Sequence, residues 1–70
     1  LKGLYTKKTR TELARVLHRI EYDVEREKNV MALKELCRAE GIFPEYLEDF
    51  VRETVLHTEK VMPVVAKIFS

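Results

Sequence analysis

The chain is 70 residues long, 46% hydrophobic and 36% charged, with 13 Lys+Arg against 12 Asp+Glu for a net charge of +1. That is room for one small domain rather than two, too apolar for a disordered tail, and far from the positive excess of a bulk polyanion binder. Two Gly and two Pro leave little turn material, which disfavours an all-β fold, and a domain of this size buries only roughly 60% of its unfolded surface, so added support from a partner or a second copy is expected.

Cys37 is the one cysteine. It cannot close an intrachain disulfide, so the default setting is intracellular and reducing. No apolar run approaches the roughly 18 residues that span a bilayer, and no signal-peptide pattern opens the chain. The first residue is Leu rather than Met, which fits a single helical domain, residues 1–70, excised from or part of a larger protein or assembly.

Residues Leu1 to Lys8 read as an N-terminal arm, with apolar Leu1, Leu4 and Tyr5 and then basic Lys7 and Lys8. Thr9 to Lys28 reads as the first helix. Thr9 and Glu12 have the spacing of a capping box, in which each side chain satisfies a free amide. Leu13, Val16, Leu17, Ile20 and Val24 recur at helical spacing and form one apolar stripe. Asn29 is the expected N-cap of a second helix over residues 30–40. That helix turns Val30, Leu33, Leu36 and Cys37 inward, with Met31 at the edge, and Gly41 stops it.

Ile42 and Phe43 link to a third helix that starts at Pro44, where a missing N–H costs nothing. It is expected to run to about Thr58, with Leu47, Phe50, Val51, Thr54 and Val55 inward. Pro63 ends or kinks it and opens a short fourth helix over residues 63–69. Three to four helices with short joints and no strand pattern predict an all-α bundle with a helix-turn-helix-like hairpin in the middle.

That hairpin, Leu33 to Phe50, places Leu36, small Cys37, Gly41, Ile42, Leu47 and Phe50 where a helix-turn-helix core needs them. The segment resembles that motif over about a quarter of the chain. The resemblance implies that the helix after the turn would enter a DNA major groove. Its exposed side chains here are Glu45, Glu48, Asp49, Arg52 and Glu53, a set that repels phosphates. The same stretch is also similar to a ubiquitin-associated type of three-helix domain, with EGIFP as its loop and Val64 to Phe69 as its last helix. No binding residue carries over from that second likeness.

A second nucleic-acid candidate lies on helix one. Opposite its apolar stripe fall Arg15, His18, Arg19, Tyr22 and Arg26. With Lys7, Lys8 and Arg10 they form the only basic surface, suited to a backbone with Tyr22 stacking on a base. Against this, Glu12, Glu21, Asp23, Glu25 and Glu27 flank the stripe, and Arg19 and Asp23 have i,i+4 pairing distance.

Candidate catalytic groups are Cys37, His18, His57, Ser70 and the tyrosines. No spacing among them fits a nucleophile–base pair or a metal site. No enzyme activity, cofactor, metal or small-molecule substrate is expected. The remaining feature is the apolar segment Val61 to Phe69, which reads first as core of the bundle, since a small domain needs every apolar residue it has, and second as an intermolecular helix face. Together with Leu4 and Tyr5 it offers Val61, Val65 and Phe69 for a dimer seam or a groove for a partner helix, and acidic Glu45, Glu48 and Asp49 offer a second contact face.

The favoured expectation is a non-enzymatic protein–protein interaction domain in a regulatory or scaffold role, partnered by another protein or by itself. The alternative is DNA or RNA binding through the basic arm and helix one. Residues 1–20 carry six basic and one acidic side chain, and residues 21–60 carry six basic and eleven acidic. The low net charge is therefore a cancellation between a basic front and an acidic middle.

Overall fold

A computed structural model describes residues 5–70. The described chain is all-α, with four helices: α1 Lys7–Glu21, α2 Arg26–Glu40, α3 Pro44–Thr54 and α4 Thr58–Ile68. Leu1 and Leu4 of the arm lie outside the described residues.

α1 starts earlier than the capping-box pattern predicts. Thr6 is the cap, its Oγ1 accepting from the Thr9 amide at 3.2 Å. The Thr9 hydroxyl is left to donate to Glu40 Oε1 at 3.3 Å, across to the end of α2. α1 also stops at Glu21 instead of running to Lys28. Asp23 and Glu25 take left-handed backbone, with φ of 59° and 45°, and the chain reverses there. Val24, expected in the apolar stripe, is exposed.

Asn29 is not the N-cap of α2; Glu25 holds that position. Asn29 sits one turn inside the helix, buried. Its Nδ2 donates back to the carbonyls of Val24 at 2.8 Å and Glu25 at 3.1 Å. It thus ties down the turn from within the helix, which explains why an asparagine tolerates a buried helical position. α2 buries Leu33 and Cys37, leaves Val30 and Leu36 half-buried and points Met31 into water. Gly41 ends it in left-handed conformation, φ 63°, as expected, and its N–H donates to the Cys37 carbonyl.

α3 begins at Pro44 as expected but ends at Thr54, before the expected Thr58. Val55 is extended and buried, so the chain leaves the helix while keeping an apolar anchor in the core. α4 then starts at Thr58, not at Pro63, and Pro63 lies inside it on the exposed side. The bond that Pro63 cannot make is one to the Glu59 carbonyl, near the helix start, where the loss is small compared with the burial of Val61, Val64 and Val65 on the other face.

α1 and α2 form one hairpin, and α3 and α4 form a second. α4 also packs on α1 and α2, so it is the element that joins the two hairpins. The core runs through all four helices: Leu13, Leu17 and Ile20 of α1, Leu33 of α2, Leu47 and Val51 of α3, Val61 and Val65 of α4. At one end Tyr5 closes the core. Its ring meets Tyr46 edge-on at 4.6 Å, and Tyr46 stacks on Phe50 at 6.0 Å. The Tyr5 hydroxyl donates to the Gly41 carbonyl at 2.9 Å and accepts from the Phe43 amide at 3.3 Å.

Candidate interaction surfaces

The opposite end of the bundle is built on a buried charge. Glu21, the last residue of α1, is fully buried. Its Oε2 accepts from the His57 backbone amide at 2.6 Å, and its Oε1 lies 3.0 Å from His18 Nδ1. An ionised carboxylate only accepts, so Nδ1 carries the proton of that bond. Burial pushes the Glu21 carboxyl up, but the hydrogen bonds from His18 and the His57 amide, with the charge those imidazoles carry when protonated, outweigh it and hold it below its ordinary value of 4.5. Glu21 therefore fastens the end of α1 to the start of α4.

Arg26 fastens the same corner from α2. Nη1 donates to the Ile20 carbonyl at 3.2 Å and to Asp23 Oδ1 at 3.3 Å, while Nη2 donates to the Lys60 carbonyl at 3.3 Å. Lys60 Nζ in turn donates to Asp23 Oδ2 at 3.3 Å. On this braced frame sit apolar side chains open to water: Tyr22 is 57% exposed, Val24 47% and Leu56 78%. The Tyr22 ring stands edge-on to His57 at 5.9 Å, which places the Tyr22–Glu25 and Val55–His57 connectors side by side.

The candidate nucleic-acid residues do not form one patch. Arg15 pairs with Glu12 at 3.1 Å. Arg26 is spent on the corner just described. Asp23, the partner expected for Arg19, is taken by Arg26 and Lys60. Arg10 is half-buried, with its Nε covered and unpartnered among the described residues. Lys7, Lys8 and Arg19 remain exposed with no ion pair among the described residues. Arg19 lines a groove of about 220 Å³ between α1 and α2 whose walls mix Arg15 and Lys28 with Glu12 and Glu25.

Among the protein-contact candidates, Val61 and Val65 lie in the core, with exposures of 0% and 2%. They face the other helices of their own chain and present nothing to a partner; the apolar run around α4 reflects its position between the two hairpins. Phe69 and Tyr5 are half-buried and packed on the same core. Glu45 and Asp49 are exposed and Glu48 half-buried along α3. Arg52 lies between Glu48 at 3.8 Å and Asp49 at 3.2 Å.

Cys37 is buried, and burial pushes its thiol up to about 11, a poor nucleophile at neutral pH. Among the described residues no group of His, Cys, Asp and Glu is placed to hold a metal ion, and no helix is long and apolar enough to cross a membrane. Sequence reasoning missed Leu56 and Glu21. Leu56 follows Val55 directly, and in the connector beyond α3 the first is exposed and the second buried. Glu21 reads as one more charge on a charged helix, and no local signal marks it as buried. Compared with known protein families, curated proteins and solved structures, the chain shows no match.

Proposed function

We propose that the chain is a non-enzymatic protein-interaction domain, in a regulatory or scaffold role, whose partner docks on the end formed by the Tyr22–Glu25 and Val55–His57 connectors. The observation that carries this reading is the exposure of Tyr22, Val24 and Leu56 together on a frame fixed by Glu21, Arg26 and Asn29. A chain this small needs its apolar side chains for its own core. Leaving three large ones in water at one place is a cost that binding recovers. Tyrosine is one of the side chains enriched at interface centres. The braced frame keeps the ordering cost of docking low.

Peptide display against the folded domain tests it. Selected peptides are expected to lose binding to Leu56→Asp and Tyr22→Ser, and to keep it with Met31→Asp, an equally exposed control on α2. Peptides held alike by all three variants contradict the reading.

The second reading, polyanion binding, has one observation in its favour: Lys7, Lys8 and Arg19 stand without ion pairs among the described residues. It ranks below the first because Glu12 and Glu25 interrupt the basic groove. A mobility shift at low salt that Arg19→Ala weakens for all sequences alike would reverse the ranking.

A further inference from the structure

Two cations sit together on one face of α2. Lys34 and Arg38 are exposed, one helical turn apart, and neither takes part in an ion pair among the described residues. They flank a groove of about 190 Å³ whose remaining lining is Cys37, Ile68 and Phe69. The groove therefore has an apolar floor and a cationic rim. Like charges at i,i+4 destabilise their own helix, so this rim is better satisfied by carboxylates from outside.

The matching surface is on the same molecule, on α3. Glu45, Asp49 and Glu53 follow one another at i,i+4 and i+8 and are all exposed. Among the described residues only Asp49 of these has a cation, Arg52, which it shares with Glu48. The stripe repeats at the spacing of Lys34 and Arg38, with the opposite sign. Phe43, at the start of the same helix, leaves 50% of its surface in water. With a net charge of +1, two copies have little overall repulsion to overcome.

We propose that the chain self-associates by laying the Glu45–Asp49–Glu53 stripe of one copy against the Lys34–Arg38 groove of another, with Phe43 meeting Ile68 and Phe69. The idea rests on the reading of the chain as a protein-interaction domain but uses a different surface from the Tyr22–Leu56 end. Carboxylates on the cationic rim relieve the like-charge repulsion within both helices at once. The apolar floor takes Phe43 out of water, which adds an attraction that salt does not screen.

Sedimentation equilibrium on the full chain at low salt, up to about 1 mM, tests this with two charge-reversed variants, Lys34→Glu/Arg38→Glu and Glu45→Lys/Asp49→Lys. All four positions are exposed or at a groove rim, and circular dichroism checks that helicity is kept. The wild type is expected to rise above its 8.3 kDa monomer mass with concentration. Each variant alone is expected to associate at least ~10-fold more weakly, and an equal mixture of the two to recover association, since one then supplies the native acidic stripe and the other the native groove. A wild type that stays monomeric throughout overturns the proposal, as do variants that associate as well as the wild type. A monomeric wild type that still holds peptides at Leu56 removes this inference alone and leaves the earlier reading standing.

Discussion

The two ends of the bundle reverse the chain by different chemistry. At the α2–α3 end the turn uses backbone properties: Gly41 takes φ 63° without a Cβ, Pro44 starts the next helix, and Tyr5 covers the joint with one ring and one hydroxyl. At the α1–α2 end there is no Gly or Pro. Asp23 and Glu25 are held in left-handed backbone while Asn29 and Arg26 satisfy carbonyls that the turn leaves open and Glu21 accepts from the His57 amide at the start of α4. The first kind of turn rests on backbone conformation, with Tyr5 laid over it, and the second on polar side chains, local from Asn29 and long-range from Glu21 and Arg26. The second therefore concentrates its stability in a few polar side chains, and it is the end that offers apolar side chains to water.

Substitutions sharpen this contrast, beginning with the one of largest effect. Glu21→Ala removes a fully buried carboxylate and leaves the His57 amide without its partner. It is expected to lower unfolding free energy by about 3 kcal/mol in urea titrations. Gly41→Ala, at the other end, meets no heavy atom within 4 Å of the new Cβ. Its cost is the left-handed backbone alone, about 1 kcal/mol. A Gly41→Ala loss equal to that of Glu21→Ala would erase the distinction between the ends. Arg15→Ala breaks an ion pair exposed on both sides and is expected to change stability by less than about 0.5 kcal/mol.

The same contrast explains what the sequence made legible. The all-α class, the Gly41 stop, the Pro44 start and core positions such as Leu13, Leu17, Leu33, Leu47 and Val51 all follow from periodicity and turn chemistry. The sequence predicts helix one to Lys28 because its apolar spacing continues past Glu21 to Val24 and no Gly or Pro interrupts Tyr22 to Glu25. Asn29 and Arg26 hold the turn locally, but the contacts that fix it to α4, from Arg26 to Lys60 and from Glu21 to His57, join residues more than thirty positions apart, and no local pattern encodes them. Pro63 misplaced the start of α4 for a related reason: the burial of Val61 and Val64 outweighs one lost backbone bond. The site followed suit. Val61 and Val65, open to reading as core or as a contact face, are core. Leu56, one residue beyond the buried Val55, is open to water.

A buried, ionised Glu21 holds the α1–α2 corner to α4. Because its folded-state pKa lies below the ordinary 4.5, the ionised carboxylate contributes stability that is fully present above that value and is lost as pH falls through the folded pKa. The direct measurement is urea unfolding of the wild type and Glu21→Gln from pH 7 down to pH 3. The wild type is predicted to be the more stable at neutral pH, with its advantage shrinking below about pH 4.5. An advantage that stays constant across the whole range would contradict a charged Glu21 in the folded protein.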